Sequence, residues 1–269
     1  MGNPKMFETK EDLDADRDFA CTLAEEHEGF YSGLVVRPEG TAEDADSFIR
    51  KYPKLTTLKP YRCYALAENT FEADVIAYAP EWMWELANHY GLNMVIHLSH
   101  YEDLLSHPGS GGQIRELCKK YPKARIQLAH CAMGHTPEKL RRGLHYLDGL
   151  DNVWMDVGGI GEALSIIYSI KALGTDRVMY SSDGYNYAFC NYSRCFAVGG
   201  NFLALGRSFN DVKIPPDHCF KPVNPMTDNL LAAVAAGEIC ELTTDQWENY
   251  FYNTGVKLHT DVMKSRSAK

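Results

Sequence analysis

No apolar run in this 269-residue chain approaches the ~20 residues that a membrane-spanning helix needs. The opening Met1-Gly2-Asn3-Pro4-Lys5-Met6-Phe7 lacks the apolar core of a secretion signal, and Met6 stands where a myristoylation pattern wants Ser or Thr. A cytoplasmic protein is therefore expected. The eight cysteines (Cys21, Cys63, Cys118, Cys131, Cys190, Cys195, Cys219 and Cys240) include no C-x-x-C pair. Without that spacing a cysteine metal site or redox motif is disfavoured, and reduced core thiols are the ordinary reading. Positive charge is in deficit, with 27 Lys and Arg against 36 Asp and Glu, and the acidic residues are dispersed. Neither a nucleic acid nor an anionic membrane is an expected partner. A small-molecule substrate is, with a homo-oligomer or a complementing chain as the protein partner to consider.

What is present is an ordinary globular composition, 45% apolar and 23% charged. A chain of this length fits one α/β barrel better than two small domains, so a single domain over residues 1–269 is expected. Residues 93–131 set the pattern. Two short apolar runs, Met94-Val95-Ile96-His97-Leu98-Ser99 and Arg125-Ile126-Gln127-Leu128-Ala129-His130-Cys131, each carry a histidine near their end. Between them Ile114, Leu117, Cys118 and Tyr121 recur at helical spacing up to Pro122, which makes the unit strand, helix, strand.

The rest of the chain repeats this unit. Residues 7–28 are acidic and helix-permissive, and strands are expected at Tyr31 to Val36, Leu55 to Tyr64, Asn152 to Val157 and Arg177 to Asp183. Pro60 argues that the second of these is short. Helices are expected over Asp44 to Tyr52, from Pro80 to a stop at Gly91, from a Thr136 N-cap to Gly149, and from Ala163 to Gly174. After Asp183 the texture becomes aromatic and loop-like, with two closing helices over Met226 to Ala236 and Thr243 to Leu258. Thr243 and Gln246 form a capping-box pattern. The expected fold is an incomplete (β/α)8 barrel-like arrangement of about six parallel βα units, strands from about 31 to 183, with a helical part over 184–269.

In such folds chemistry sits at the C-terminal ends of the strands. His97, His130 and Asp183 occupy three such ends. Imidazole nitrogens and a carboxylate suit zinc, manganese or iron, and an open position on the ion would activate a water. Asp183 could instead take the proton from that water. Each also has a plain alternative, since a strand-end histidine is often only a satisfied polar group and Ser181-Ser182-Asp183 before Gly184 fits an Asx turn. Lys59 and Arg62 are candidates for holding an anionic substrate group, or surface ion-pairing residues. His100, His107 and His135 lie in loops past strand ends, and Asp156 either orients a ligand or faces solvent.

Taken together, Lys59-Pro-Tyr-Arg62, Val95-Ile-His97-Leu-Ser, Leu128-Ala-His130-Cys, Asn152-Val-Trp-Met-Asp156 and Tyr180-Ser-Ser-Asp183 resemble the later strands of the amidohydrolase-related barrel family. That family includes metal-dependent hydrolases and decarboxylases of the aminocarboxymuconate-semialdehyde type. The resemblance runs from about Tyr31 to His259. It implies His97 as a metal ligand, His130 as a ligand or a residue acting on substrate, and Asp183 as ligand and acid or base. It further implies one divalent metal, with zinc first and manganese or iron as alternatives, and hydrolysis of a C–N, C–O or lactone bond, with decarboxylation on the same scaffold as the alternative. The family's first strand ends in His-x-His, and no His-x-His occurs here. By this reading the chain lacks two strands and two ligands, which would make it a clipped enzyme or a non-catalytic truncated barrel.

Overall fold

A computed structural model describes residues 9–183, 193–196, 202–205 and 225–267. Six strands, β1 (Ser32–Val36), β2 (Leu55–Pro60), β3 (Asn93–Ile96), β4 (Arg125–Leu128), β5 (Val153–Asp156) and β6 (Val178–Met179), follow one another in the sheet in chain order. Helices separate them in sequence, as parallel pairing requires. The chain divides into two compact units, the first being Met1–Leu128, Gly143–Trp154 and Val256–Lys269, the second Ala129–Arg142 and Met155–Gly255.

In the first unit β1 to β4 pair in parallel, with Leu34 opposite Leu58, Leu58 opposite Met94 and Met94 opposite Ile126. All four of these side chains are fully buried. Apolar residues recur without strict alternation because parallel strands are covered on both faces. The acidic N-terminal segment is the helix Lys10–Glu26, whose N-cap Thr9 accepts the Asp12 N–H at 3.1 Å. Its inner face is Leu13, Arg17, Cys21 and Ala24, at helical spacing. Arg17 is buried there because it bonds the Val35 carbonyl at 2.8 Å and both Asp14 and Asp44 at 3.0 Å. The last helix, Thr254–Ser267, turns Arg266 onto the carbonyls of Ile49, Tyr52, Pro53 and Leu55.

In the second unit Met155 and Asp156 pair in parallel with Val178 and Met179. The helices Ala163–Leu173 and Pro225–Ile239 pack together. The capping box at Thr243 and Gln246 is formed. Strands β7 (Ser193–Phe196) and β8 (Phe202–Leu205) make an antiparallel pair that the aromatic sequence did not signal.

Three expected elements are shorter than their apolar runs. The run at Leu55 to Tyr64 is strand only to Pro60 and then a tight turn over Arg62–Tyr64, because Pro60 ends the ladder. The run at Arg125 to Cys131 leaves extended geometry after Leu128. The run ending in Asp183 is strand only at Val178–Met179.

Candidate functional site

The chain leaves β4 in a left-handed turn, with φ of +56° at His130, +50° at Cys131, +55° at Ala132 and +61° at Met133. An L-residue held there costs about 1–2 kcal/mol, so the turn requires external support. The His130 N–H donates to Asp156 Oδ1 at 3.2 Å. His130 Nδ1 lies 2.6 Å from the Gly158 carbonyl oxygen, which can only accept, so Nδ1 carries the ring proton. The lone pair is thereby placed on Nε2, the form of imidazole that binds a metal or accepts a proton. Gly134 N–H closes the turn on the His130 carbonyl at 2.8 Å, and Ser165 Oγ donates to the Gly134 carbonyl. Cys131, Ala132 and Met133 are buried, and burial pushes the Cys131 thiol up to about 12.

Asp156 is the hub of this arrangement. It is buried rather than solvent-facing, and one oxygen, Oδ1, accepts from His130 N, from Gly158 N at 3.0 Å and from Ser181 Oγ at 3.0 Å. Three donors on one oxygen fix the carboxylate. A side chain at Gly158 would place its Cβ 2.5 Å from Ser181 Oγ, 3.1 Å from Asp156 Oδ1 and 3.4 Å from the Asp183 nitrogen. Glycine is therefore required for space, and the same distances put the Asp183 backbone beside this hub. Asp183 itself has φ of +48° and is half-buried. The loop carrying Gly158 is pinned by Asn229, whose Nδ2 donates to the Val157 and Ile160 carbonyls at 2.6 and 2.9 Å. The His135 ring lies 6.2 Å from that of His130. The second unit thus gathers His130, Asp156, Ser181 and Asp183 around one glycine.

In the first unit His97 follows β3 directly, is buried, and meets Tyr61 edge-on at 5.5 Å between ring centres. Lys59 is half-buried, with Nζ 5.1 Å from the Tyr61 ring centre. Arg62 is only 4% exposed, so it is no surface ion-pairing residue. Its Nη2 donates to the Tyr101 hydroxyl at 2.7 Å, and its guanidinium carbon lies 4.3 Å from the Phe71 ring centre. Among the described residues, the buried Nε and Nη1 have no hydrogen-bond partner.

One constellation in the first unit was not legible beforehand. Asp74, His100 and His107 bring ligand-type atoms within 4.8 Å of one another. The loop histidines were visible in sequence, but their carboxylate partners lie more than 25 residues upstream with no spacing to mark them.

The amidohydrolase family profile matches residues 66–239 of this chain. No curated protein matches it. Among solved structures, an amidohydrolase from Burkholderia multivorans with bound HEPES superposes with a TM-score of 0.61 at 10% identity, covering 92% of this chain and 79% of that one. The same protein with bound zinc gives 0.59 at 10% identity, over 94% and 80%. A 5-carboxyvanillate decarboxylase from Novosphingobium aromaticivorans, complexed with manganese and 4-hydroxy-3-methoxy-5-nitrobenzoic acid, gives 0.58 at 14% identity, over 95% and 72%. At such identities the likeness is one of fold, and it makes the series of parallel βα units an incomplete α/β barrel.

Proposed function

The chain belongs to the amidohydrolase family, and we propose from this premise that it is a metal-dependent hydrolase acting with water on a C–N, C–O or lactone bond. The observation that carries the reading is the pinning of His130. Its Nδ1–H is tied to the Gly158 carbonyl, and the Asp183 backbone lies beside that same glycine. The donor chemistry fits a divalent ion, since an imidazole lone pair on Nε2 and a carboxylate are the ligands that zinc, manganese and iron take. His130 and Asp183 would hold it. His97 enters on the motif it belongs to, and a His97→Gln variant tests it separately. When bound, the ion supplies Lewis acidity that makes water a nucleophile near neutral pH.

The chain's own residues do the rest. Asp183 takes the proton from the attacking water and returns it to the leaving group. Asp156 never meets substrate in this scheme; it holds the strained turn so that His130 presents a fixed nitrogen. Because Nδ1 bears the proton, His130 serves as ligand or proton acceptor rather than as donor to a developing oxyanion. Among the described residues the buried thiols Cys21, Cys118 and Cys131 form no disulfide.

Zinc- or manganese-loaded protein should turn over members of a panel of lactones, aryl esters and anilides. Asp183→Asn should abolish that turnover while far-ultraviolet circular dichroism stays unchanged. Full turnover in the variant would remove the mechanism. A second reading, decarboxylation, is favoured by Arg62, whose buried Nε and Nη1, unbonded among the described residues, suit a carboxylate. Release of carbon dioxide from aromatic carboxylates, lost in Arg62→Lys, would support it over hydrolysis.

A further inference from the structure

We propose that Asp74, His100 and His107, with Glu72 behind them, form a second divalent-metal site, lying wholly within the first unit. Four observations carry it. His100 is nearly buried, and each of its ring nitrogens faces a carboxylate, Nδ1 to Glu72 Oε2 at 3.3 Å and Nε2 to Asp74 Oδ1 at 3.0 Å. A neutral imidazole has one proton for these two acceptors. With that proton on Nδ1 toward Glu72, the Nε2 lone pair and a carboxylate oxygen lie 3.0 Å apart, a separation that suits two neighbouring ligands of one cation. This is the carboxylate–histidine–metal relay by which metalloproteins fix the tautomer of a ligand.

His107 supplies the second imidazole. Its ring lies parallel to that of His100 at 3.6 Å between centres. Its Nδ1 accepts the Gly109 N–H at 3.0 Å, so that nitrogen carries the lone pair of the neutral ring, and an ion bound there would displace the Gly109 contact. Two histidines and an aspartate are the ligand set of an open zinc-type site, with one position left for water or substrate.

The surrounding chain keeps the cluster in shape. Asp74 is the N-cap residue of Val75–Tyr78, yet its carboxylate does not cap that helix. It turns instead to His100 and to Gln113 Nε2, which donates to Oδ2 at 3.2 Å. His100 is held at φ of +57°, outside the comfortable range of an L-residue, with its N–H donating to the Phe71 carbonyl at 2.7 Å. A Cβ at Gly109 would fall 1.9 Å from Asp74 Oδ1 and 3.0 Å from His100 Nε2, so the absence of a side chain there makes the room that the cluster occupies. The carboxylates of Glu72 and Asp74 are about half exposed, which leaves an ion a path from solvent.

Cobalt(II) alone serves as the probe, added to chelator-stripped full-length protein and read by its visible absorption. The test is run in the Asp183→Asn background, which weakens the other proposed site. The Asp183→Asn protein should still bind one cobalt, and adding either His107→Ala or Asp74→Asn should weaken that binding at least tenfold. Equal binding in all three proteins would overturn the proposal, as would a signal lost in Asp183→Asn but kept in His107→Ala alone, which would leave the catalytic reading standing. Should the triad variants fail to fold, X-ray absorption on cobalt-loaded Asp183→Asn decides, with two imidazoles in the coordination shell expected and one or none overturning the site.

Discussion

Asp156 Oδ1 accepts the His130 backbone N–H at 3.2 Å, so a carboxylate closing β5 holds the left-handed turn that follows β4. Replacing Asp156 by Ala strands three donors, Gly158 N in a buried place and His130 N and Ser181 Oγ in half-buried ones. Leaving buried donors without an acceptor costs about 1–3 kcal/mol each before relaxation. Urea denaturation should show Asp156→Ala destabilised by about 3 kcal/mol or more. Asp156→Asn keeps an acceptor oxygen and should lose about 1 kcal/mol, while metal affinity or turnover falls roughly 10–100-fold because His130 is less well aimed. Equal stability of the two variants would refute the hub role.

Gly158 is demanded by space rather than by backbone angle. A methyl group there meets Ser181 Oγ at 2.5 Å, so Gly158→Ala should destabilise by about 1–3 kcal/mol. Removing the obstacle tests the cause. Ser181→Ala made together with Gly158→Ala should recover part of the loss, and a double-mutant cycle would show coupling of about 1 kcal/mol. Strict additivity would place the strain elsewhere.

The parallel βα series was legible because apolar runs, proline starts and glycine stops are local signals. Gly91 ends its helix in the left-handed region as its position implied. Strand ends were less legible, since apolar runs continue past the last ladder bond. Nothing in Ala129-His130-Cys131-Ala132-Met133 marks four successive positive φ values, because none of these residues favours them. Asp156 was ambiguous for a similar reason. Its burial rests on three donors, two of them backbone groups that no sequence pattern displays. His130 and Asp183 could be singled out by strand position, whereas Glu72 and Asp74 join His100 only through folding.

Arg62 is predicted to set stability against function. Two of its guanidinium nitrogens are buried and have no hydrogen-bond partner among the described residues, while its plane packs on Phe71 and Tyr101. Replacing a poorly satisfied buried charge with an apolar side chain of similar size is often neutral or stabilising by about 1–4 kcal/mol. Arg62→Met should therefore melt no lower than the parent and yet lose turnover of carboxylate-bearing substrates. A clear drop in melting temperature with turnover intact would show that Arg62 is structural.

His259 supplies a pH dependence with a definite sign. It stacks on Tyr31 at 4.8 Å, shares a 2.8 Å hydrogen bond with Thr56, and burial pushes its pKa down to about 4. In the unfolded chain the ring titrates near 6.5. Between these values the unfolded state binds the extra proton, so stability is complete above about pH 6.5 and declines as pH falls toward 4. The loss should be about 1–3 kcal/mol, the lower figure because solvent reaches part of the ring. His259→Gln, which cannot titrate, should flatten this slope when denaturation midpoints are compared at pH 7.5 and pH 4.5. The parent and variant losing stability in parallel across that window would show that carboxylates, not His259, govern the acid side.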